Sequence, residues 1–295
     1  MEIYLHEIDI SNDMGECIVN EKIYYHYCSV DTFFNIMQTS TLRLGNPLSM
    51  NDSAEIIWFL ELVEKYVDQK GIYREISEKW ELVEKMMKSI IHEIDFPYIL
   101  CLSKSSDVLS QWRSYANDGK GVAIGIDVDV LLRYSNLLSG NEIIYNSEEQ
   151  MKLLGGKGID KPLGELNRAI INDDEATTYN KIRILVSYLL EDAVKCKNPA
   201  FSEEDEYRIS CVPNKSDEGK ISEIKFRINN EVIFPYREIC FGKIKHNLIK
   251  DITIGPKSLI NNRNLCLFLK QQGFKWEENK EKWNQHVKTS KATYR

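Results

Sequence analysis

The stretch Phe201 to Arg208, FSEEDEYR, is the strongest local signal of chemistry in this chain, three glutamates and an aspartate beside a tyrosine and an arginine. If Glu204 to Val212 is extended, its side chains alternate. Glu204, Glu206, Arg208 and Ser210 then share one face, and Tyr207, Ile209 and Cys211 take the other. A strand with an apolar face on a core and an outer face reading Glu, Glu, Arg is what a carboxylate site on a sheet requires. The same pattern also describes a solvated antiparallel strand with a Glu–Arg pair, and periodicity alone favours that plainer reading.

Three other segments carry reactive or ligand-binding residue types. SQWRSYA (110–116) reads as a helix with Trp112 and Tyr115 packed inward and Gln111, Arg113 and Ser114 projecting elsewhere; a plain amphipathic helix explains it equally. YYHY (24–27) alternates, with Tyr24 and His26 on one face and Tyr25 and Tyr27 on the other. A histidine among tyrosines is more often a hydrogen-bonded, half-buried residue than a ligand or base. In NPLSMND (46–52), Asn51 and Asp52 have the chemistry to line a cleft, but helix capping is their commoner role. HExxH, P-loop and GxSxG motifs are missing, and the five histidines show no metal spacing. GKGVAIG (119–125) leads into a strand, whereas a dinucleotide fingerprint leaves one, so it is not read as a Rossmann signal.

The elements that must position these groups follow from periodicity. Ile23–Cys28 and Thr41–Gly45 read as strands flanking a helix through Val30, Phe33, Phe34 and Met37, capped by Ser29 or Asp31. Two amphipathic helices broken near Gly71 fill about 54–95, the first capped by Asp52 or Ser53. FPYILCLS (96–103) and GVAIGID (121–127) suit buried strands on either side of a helix at Ser106 to Asn117. About 146–197 is mostly helical. From Glu206 the period changes to two, giving strands at EYRISCV, EIKFRIN, EVIFPYREI and DITIGP, then a helix at 258–272. With no regular βαβ repeat the expectation is α+β: one domain over 1–295, with core strands about 23–45, 96–127 and 205–256, and a helical insertion.

Composition narrows the function classes. Hydrophobic residues make up 43% and charged residues 28%, an ordinary globular balance. The net charge of −7 does not advertise a polyanion partner, and the late lysines Lys243, Lys245, Lys250 and Lys257 read as a solvated face. The N-terminus has no basic, then apolar, signal pattern, and no segment approaches the roughly 20 apolar residues of a membrane helix. The seven scattered cysteines form no CxxC pair and read as small core residues in a reducing cytoplasm.

The order of segments is itself informative: YHY, LRLGNPLSMNDSAE, a strand ending in Ser103, SQWRSYANDGKGVAIGID, FSEEDEYR, IGP and a final S-x-x-x-YR. This set resembles the bacterial domain-of-unknown-function family twenty-nine seventy-one, from about Tyr24 to Arg295. Cys28 stands where that family usually has Thr, and Tyr207 where it has Trp. The order of a His-Tyr strand, a central Ser or Tyr element and a late E-x-E strand is also similar to ADP-ribosyltransferases. That similarity implies a split antiparallel β core and NAD as substrate. It implies Glu206 as the catalytic carboxylate with Glu204 in support, and His26, Tyr27, Arg43, Ser103, Trp112, Tyr115 and Arg208 as NAD-binding candidates, with no metal. The implied role is an ADP-ribosyltransferase or NAD glycohydrolase, an effector of toxin or phage-defence type. Its acceptor is an unknown protein or nucleic acid, and an antitoxin or defence-system partner is part of the same expectation. Two alternatives stay open: a non-catalytic nucleotide- or partner-binding sensor, and a metal-dependent nuclease using Glu204, Glu206 and Asp52.

Overall fold

The computed structural model of the chain describes residues 21–49, 53–156, 158–172, 174–229 and 231–294. The N-terminal stretch, Cys17, Asn51, Asp52 and Arg295 lie outside them, so the caps assigned to Asn51 and Asp52 do too. Ten strands among the described residues form one sheet: β1 (Ile23–Cys28), β2 (Thr41–Gly45), β3 (Tyr98–Ser103), β4 (Val122–Asp127), β5 (Leu138–Glu142), β6 (Glu206–Cys211), β7 (Lys225–Asn229), β8 (Val232–Cys240), β9 (Ile249–Ile254) and β10 (Val287–Thr289). All pairings are antiparallel except that of β10 with β9. Helices interleave with the strands in sequence, but the sheet is antiparallel apart from one pair and has no βαβ repeat, so the architecture is α+β.

The sheet parts at β3. One edge of β3 pairs along its whole length with β6, which pairs in turn with β5. The other edge is shared: β1 meets it at Ser103 and β2 meets it at Ile99. From there β1 continues to β4, β9 and β10, and β2 continues to β8 and β7. Between the two contacts the middle of β3 lacks a neighbouring strand on that side, and a cleft opens there.

One apolar core lies under the sheet. Leu42 and Leu44 of β2, Leu100 and Leu102 of β3 and Ile124 and Ile126 of β4 meet Phe33, Ile36 and Met37 of the helix Val30–Thr39. Ser29 caps that helix, its hydroxyl accepting from the Thr32 N–H at 3.1 Å. A second core forms among the helices Ser53–Lys70, Arg74–Glu78, Trp80–Ile91, Asp160–Ile171 and Glu175–Ala193. The last of these buries Ile182, Leu185, Val186 and Leu189, each worth about 1.5–3 kcal/mol when fully removed from water. The opposite face of the sheet carries a third, small cluster of Tyr27, Trp112, Ala116 and Ala123.

Several elements differ from the sequence expectation. The helix Val128–Tyr134 and the strands β5 and β10 fall where no element was expected, because LSGNE and VKT lack an apolar alternation. The first helical segment breaks at Lys79 as well as at Gly71. Lys245 is not on a solvated face. It is buried, and its ammonium donates to the Met37 carbonyl at 2.6 Å and to Gln272 Oε1 at 3.0 Å. No helix among the described residues is long and apolar enough to cross a membrane.

Candidate functional site

The cleft at the parting of the sheet encloses about 560 Å³, within the range of small-molecule sites. Its floor is the face of β3 that carries Ile99 and Cys101. One wall comes from β1 and the helix Leu109–Tyr115, the other from β2, β8 and β7.

The carboxylates sit at the inner end, and their backbone is not one continuous strand. Glu204 ends a 3-10 turn (Pro199–Glu204), Asp205 takes a left-handed conformation at φ 40°, and β6 starts at Glu206. The expectation of an extended Glu204 is therefore corrected. Asp is one of the few residues that adopts this conformation at modest cost. Lys104 holds the joint, its ammonium 3.1 Å from Asp205 Oδ1 and its N–H donating to the Asp205 carbonyl. The result still turns both glutamates toward one cleft.

Glu206 is buried in a charge network. Arg208, two residues along the same face, donates from Nε to Oε1 at 2.6 Å and from Nη2 to Oε2 at 3.0 Å. Lys197 Nζ adds a bond to Glu206 Oε2 at 3.2 Å and a shorter one, 2.6 Å, to Glu204 Oε2. Burial alone would raise the Glu206 carboxyl, but the adjacent Arg208 and Lys197 charges outweigh it and hold it down at about 2. Glu206 is thus ionised across the physiological range. Tyr115 Oη reaches Glu204 Oε1 at 3.3 Å. The Lys197 backbone is itself fixed, because Gln150 Nε2 donates to the Lys197 and Ile144 carbonyls at 2.8 and 2.6 Å.

The NAD-binding candidates named from the sequence divide into two groups. His26, Arg43 and Tyr115 line the cleft with Glu204 and Glu206, and so does the Tyr27 strand position. His26 Nδ1 lies 3.5 Å from the Cys101 carbonyl, at the long limit of a hydrogen bond, where β3 has lost its strand neighbour. Burial pushes the His26 pKa down, the Cys101 carbonyl partly opposing, so the imidazole is neutral at pH 7. Ser103, Trp112 and Arg208 lie outside the cleft lining. Ser103 Oγ donates to the Glu204 carbonyl at 3.1 Å and so braces the carboxylate turn from below. Trp112 is fully enclosed, edge-on to Tyr27 and bonded through Nε1 to Asp107 at 2.7 Å, which leaves no ring face for a ligand. Arg208 is committed to Glu206 and to the Val194 carbonyl at 3.2 Å. Tyr27 donates its hydroxyl to the Ser105 carbonyl at 2.9 Å and belongs to the buried cluster. Within SQWRSYA the inward pair is Gln111 and Trp112, while Tyr115 projects outward into the cleft mouth.

The glycines of GKGVAIG have packing reasons. A Cβ on Gly121 would lie 2.0 Å from the Cys28 carbonyl, so the chain reaches its strand only with glycine there. Gly125 sits in a cross-strand row that reads Asp251, Gly125, Tyr25, Ser103, Glu206 over five strands. Its missing side chain lets the Tyr25 hydroxyl pass over to Asp251 Oδ2 at 3.4 Å.

The C-terminal S-x-x-x-Y segment folds over the outside of the helix that carries Tyr115. Asp107, just ahead of that helix, accepts from Ser290 Oγ at 2.5 Å and from the Lys291 N–H at 2.7 Å. Tyr294 bonds Asp118 and lies under Lys257 Nζ and the Arg113 guanidinium at 3.8 and 4.8 Å from its ring centre.

Sequence reasoning missed Lys197, Tyr236, Phe234 and Arg227, all of which line the cleft. Lys197 precedes the motif by several residues and has no periodic relation to it. Tyr236 and Phe234 share one face of β8 by simple alternation, a signal present in EVIFPYREI and readable once that face is known to border a cleft. Among the described residues no group of three His, Cys, Asp or Glu side chains is arranged to hold a metal ion.

Residues 111–209 match the model of a family described as protein of unknown function, DUF2971. No curated protein and no solved structure matches the chain.

Proposed function

We propose that this DUF2971 chain consumes NAD, transferring ADP-ribose to an acceptor or to water. The observation that carries this reading is the meeting of His26, Tyr115, Glu204 and Glu206 on one cleft, where the sheet splits at β3. A sheet parted around a His strand and an E-x-E turn is the kind of core that ADP-ribosyl transfer is expected to use.

The residue types suit the chemistry. Breaking the bond from ribose C1′ to the nicotinamide nitrogen sends its electron pair to nicotinamide, which leaves as a neutral ring and needs no general acid. C1′ gains oxocarbenium character, as in glycoside hydrolysis. Glu206, ionised at neutral pH, offers that centre a fixed negative charge in a site partly shielded from water. Glu204 is the carboxylate that orients the acceptor and takes its proton as the acceptor bonds to C1′. Neutral His26 hydrogen-bonds a ribose hydroxyl, and Tyr115 gives a ring surface at the mouth. Arg43 meets the pyrophosphate.

The test is incubation of the full chain with NAD labelled in its adenylate half, with cell extract as acceptor, while released nicotinamide is measured. Label transfer or nicotinamide release is expected, and Glu204→Gln should lower it at least tenfold with the circular dichroism spectrum retained. Neither transfer nor release from folded protein would refute the proposal. A second reading, a non-catalytic nucleotide-binding module, is favoured by one observation: Arg208 and Lys197 already occupy both oxygens of Glu206. A thermal shift with ADP-ribose, without turnover of NAD, would select it.

A further inference from the structure

The two ends of the cleft differ in charge. At the inner end two carboxylates face two cations, Lys197 and Arg208, and the charges balance. At the mouth, on the wall built by β2, β8 and β7, Arg43 and Arg227 line the cleft with a single carboxylate, Glu238, and Lys225 of β7 stands beside it. That carboxylate is taken by Lys225 at 2.6 Å and stands only at 3.9 Å from Arg43 Nε. No carboxylate among the described residues pairs with Arg227. Cationic excess on one wall is notable in a chain whose net charge is −7.

The two guanidiniums are held in a particular way. Arg43 Cζ lies 4.9 Å from the centre of the Tyr236 ring, and Arg227 Cζ lies 5.5 Å from the centre of the Phe234 ring. Phe234 is the direct cross-strand partner of Arg227, and Tyr236 lies two residues along β8 on the same face. A guanidinium resting on a ring loses little of its donor capacity, because the N–H groups point outward in the guanidinium plane. Two such forks, on rings two residues apart along one face of β8, suit a group that offers each fork its own pair of anionic oxygens, as the linked tetrahedral phosphates of a diphosphate do.

We infer that the mouth of the cleft is a phosphate subsite, in which the ring-supported guanidiniums of Arg43 and Arg227 hold the diphosphate of a nucleotide whose remainder extends toward the carboxylates. The inference adds Arg227, Phe234 and Tyr236 to the site and assigns the ligand class, a nucleoside diphosphate. It deepens the NAD reading but does not require that any bond be cleaved.

The experiment is calorimetric titration of the full chain with ADP-ribose, ADP and inorganic pyrophosphate at low and moderate salt. Binding of all three is expected, weakening as salt rises. Arg43→Ala and Arg227→Ala should each weaken ADP-ribose binding roughly tenfold. Arg227→Lys, which keeps the charge and loses the fork, should restore only part of it. Phe234→Leu should weaken binding severalfold without touching any charge. Affinity unchanged in both Arg→Ala variants, or no binding of any of the three ligands by the wild-type chain, would overturn the inference. ADP-ribose bound through these arginines with no nicotinamide released from NAD would sink only the transfer reaction. NAD turnover with KM unaltered in both variants would sink only the subsite.

Discussion

The inner end and the mouth of the cleft use the same residue types for different work. At the inner end Glu206, Arg208 and Lys197 are all under about 5% exposed and bonded to one another. At the mouth Arg227 is exposed, and Arg43 is exposed above the half-buried Tyr236. Taking charges out of water costs several kcal/mol per ion, so the inner set persists only because each member satisfies the others. The mouth cations are exposed and keep most of their hydration. Burial separates a charge that organises the site from a charge that is available to bind.

The contrast breaks most visibly at Arg208. Arg208→Ala leaves the Glu206 carboxylate buried beside only Lys197, and a loss of about 3–5 kcal/mol is expected in denaturant unfolding. A double variant, Glu206→Gln with Arg208→Met, should recover much of that loss; if it is as unstable as the single, the network is not what binds the two residues together. Acid should act next. Glu206 titrates at about 2 in the folded chain against an ordinary value of 4.5, so its stabilisation is complete above about pH 5. It is lost as pH falls toward 2, about 3 kcal/mol in all. Glu206→Gln should flatten that acid limb of the stability–pH curve, and an unaltered limb would show that other carboxylates set it. Lys197→Met removes a cation that bonds both glutamates, and about 2 kcal/mol is expected, read from the unfolding midpoint. At the mouth, Arg227→Ala should change stability by no more than about 0.5 kcal/mol, measured in the same denaturation series. A loss of 2 kcal/mol or more there would erase the distinction between the two ends.

Much of the frame was legible because it rests on local periodicity. The alternation in EYRISC placed Tyr207, Ile209 and Cys211 on the core and Glu206 and Arg208 on the other face, as found. The face of YYHY was also readable, with Tyr25 and Tyr27 on the Trp112 side. The site was legible only in part, because its geometry depends on long-range pairing. Nothing local distinguishes Trp112, sealed under β1, from Tyr115 at the rim three residues later, since i and i+3 share a helix face; the packing of Tyr27 decides between them. The left-handed turn at Asp205 broke the assumed extension of Glu204 without altering which way its side chain faces. Lys197 was invisible for a different reason: its partner carboxylates are reached across a 3-10 turn, which has no fixed spacing rule. The parting of the sheet at β3 follows from two single-residue pairings, Tyr25 with Ser103 and Gly45 with Ile99, and no pattern in either strand announces them.

The clasp of Ser290 and Tyr294 over the helix Leu109–Tyr115 has a consequence for the order of events during synthesis. Asp107 and Ser290 are 183 positions apart, and Asp118 and Tyr294 are 176 apart. At ribosomal rates of about 5–20 residues per second, the helix that carries Tyr115 exists for roughly ten seconds or more before the groups that clasp it emerge. The carboxylate turn and the β7 and β8 parts of the guanidinium wall are translated within that interval, after β1 and β2 have already emerged. The wall of the cleft bearing Tyr115 is therefore the last to be secured, and a nascent chain that has already made its floor does not yet have a closed site.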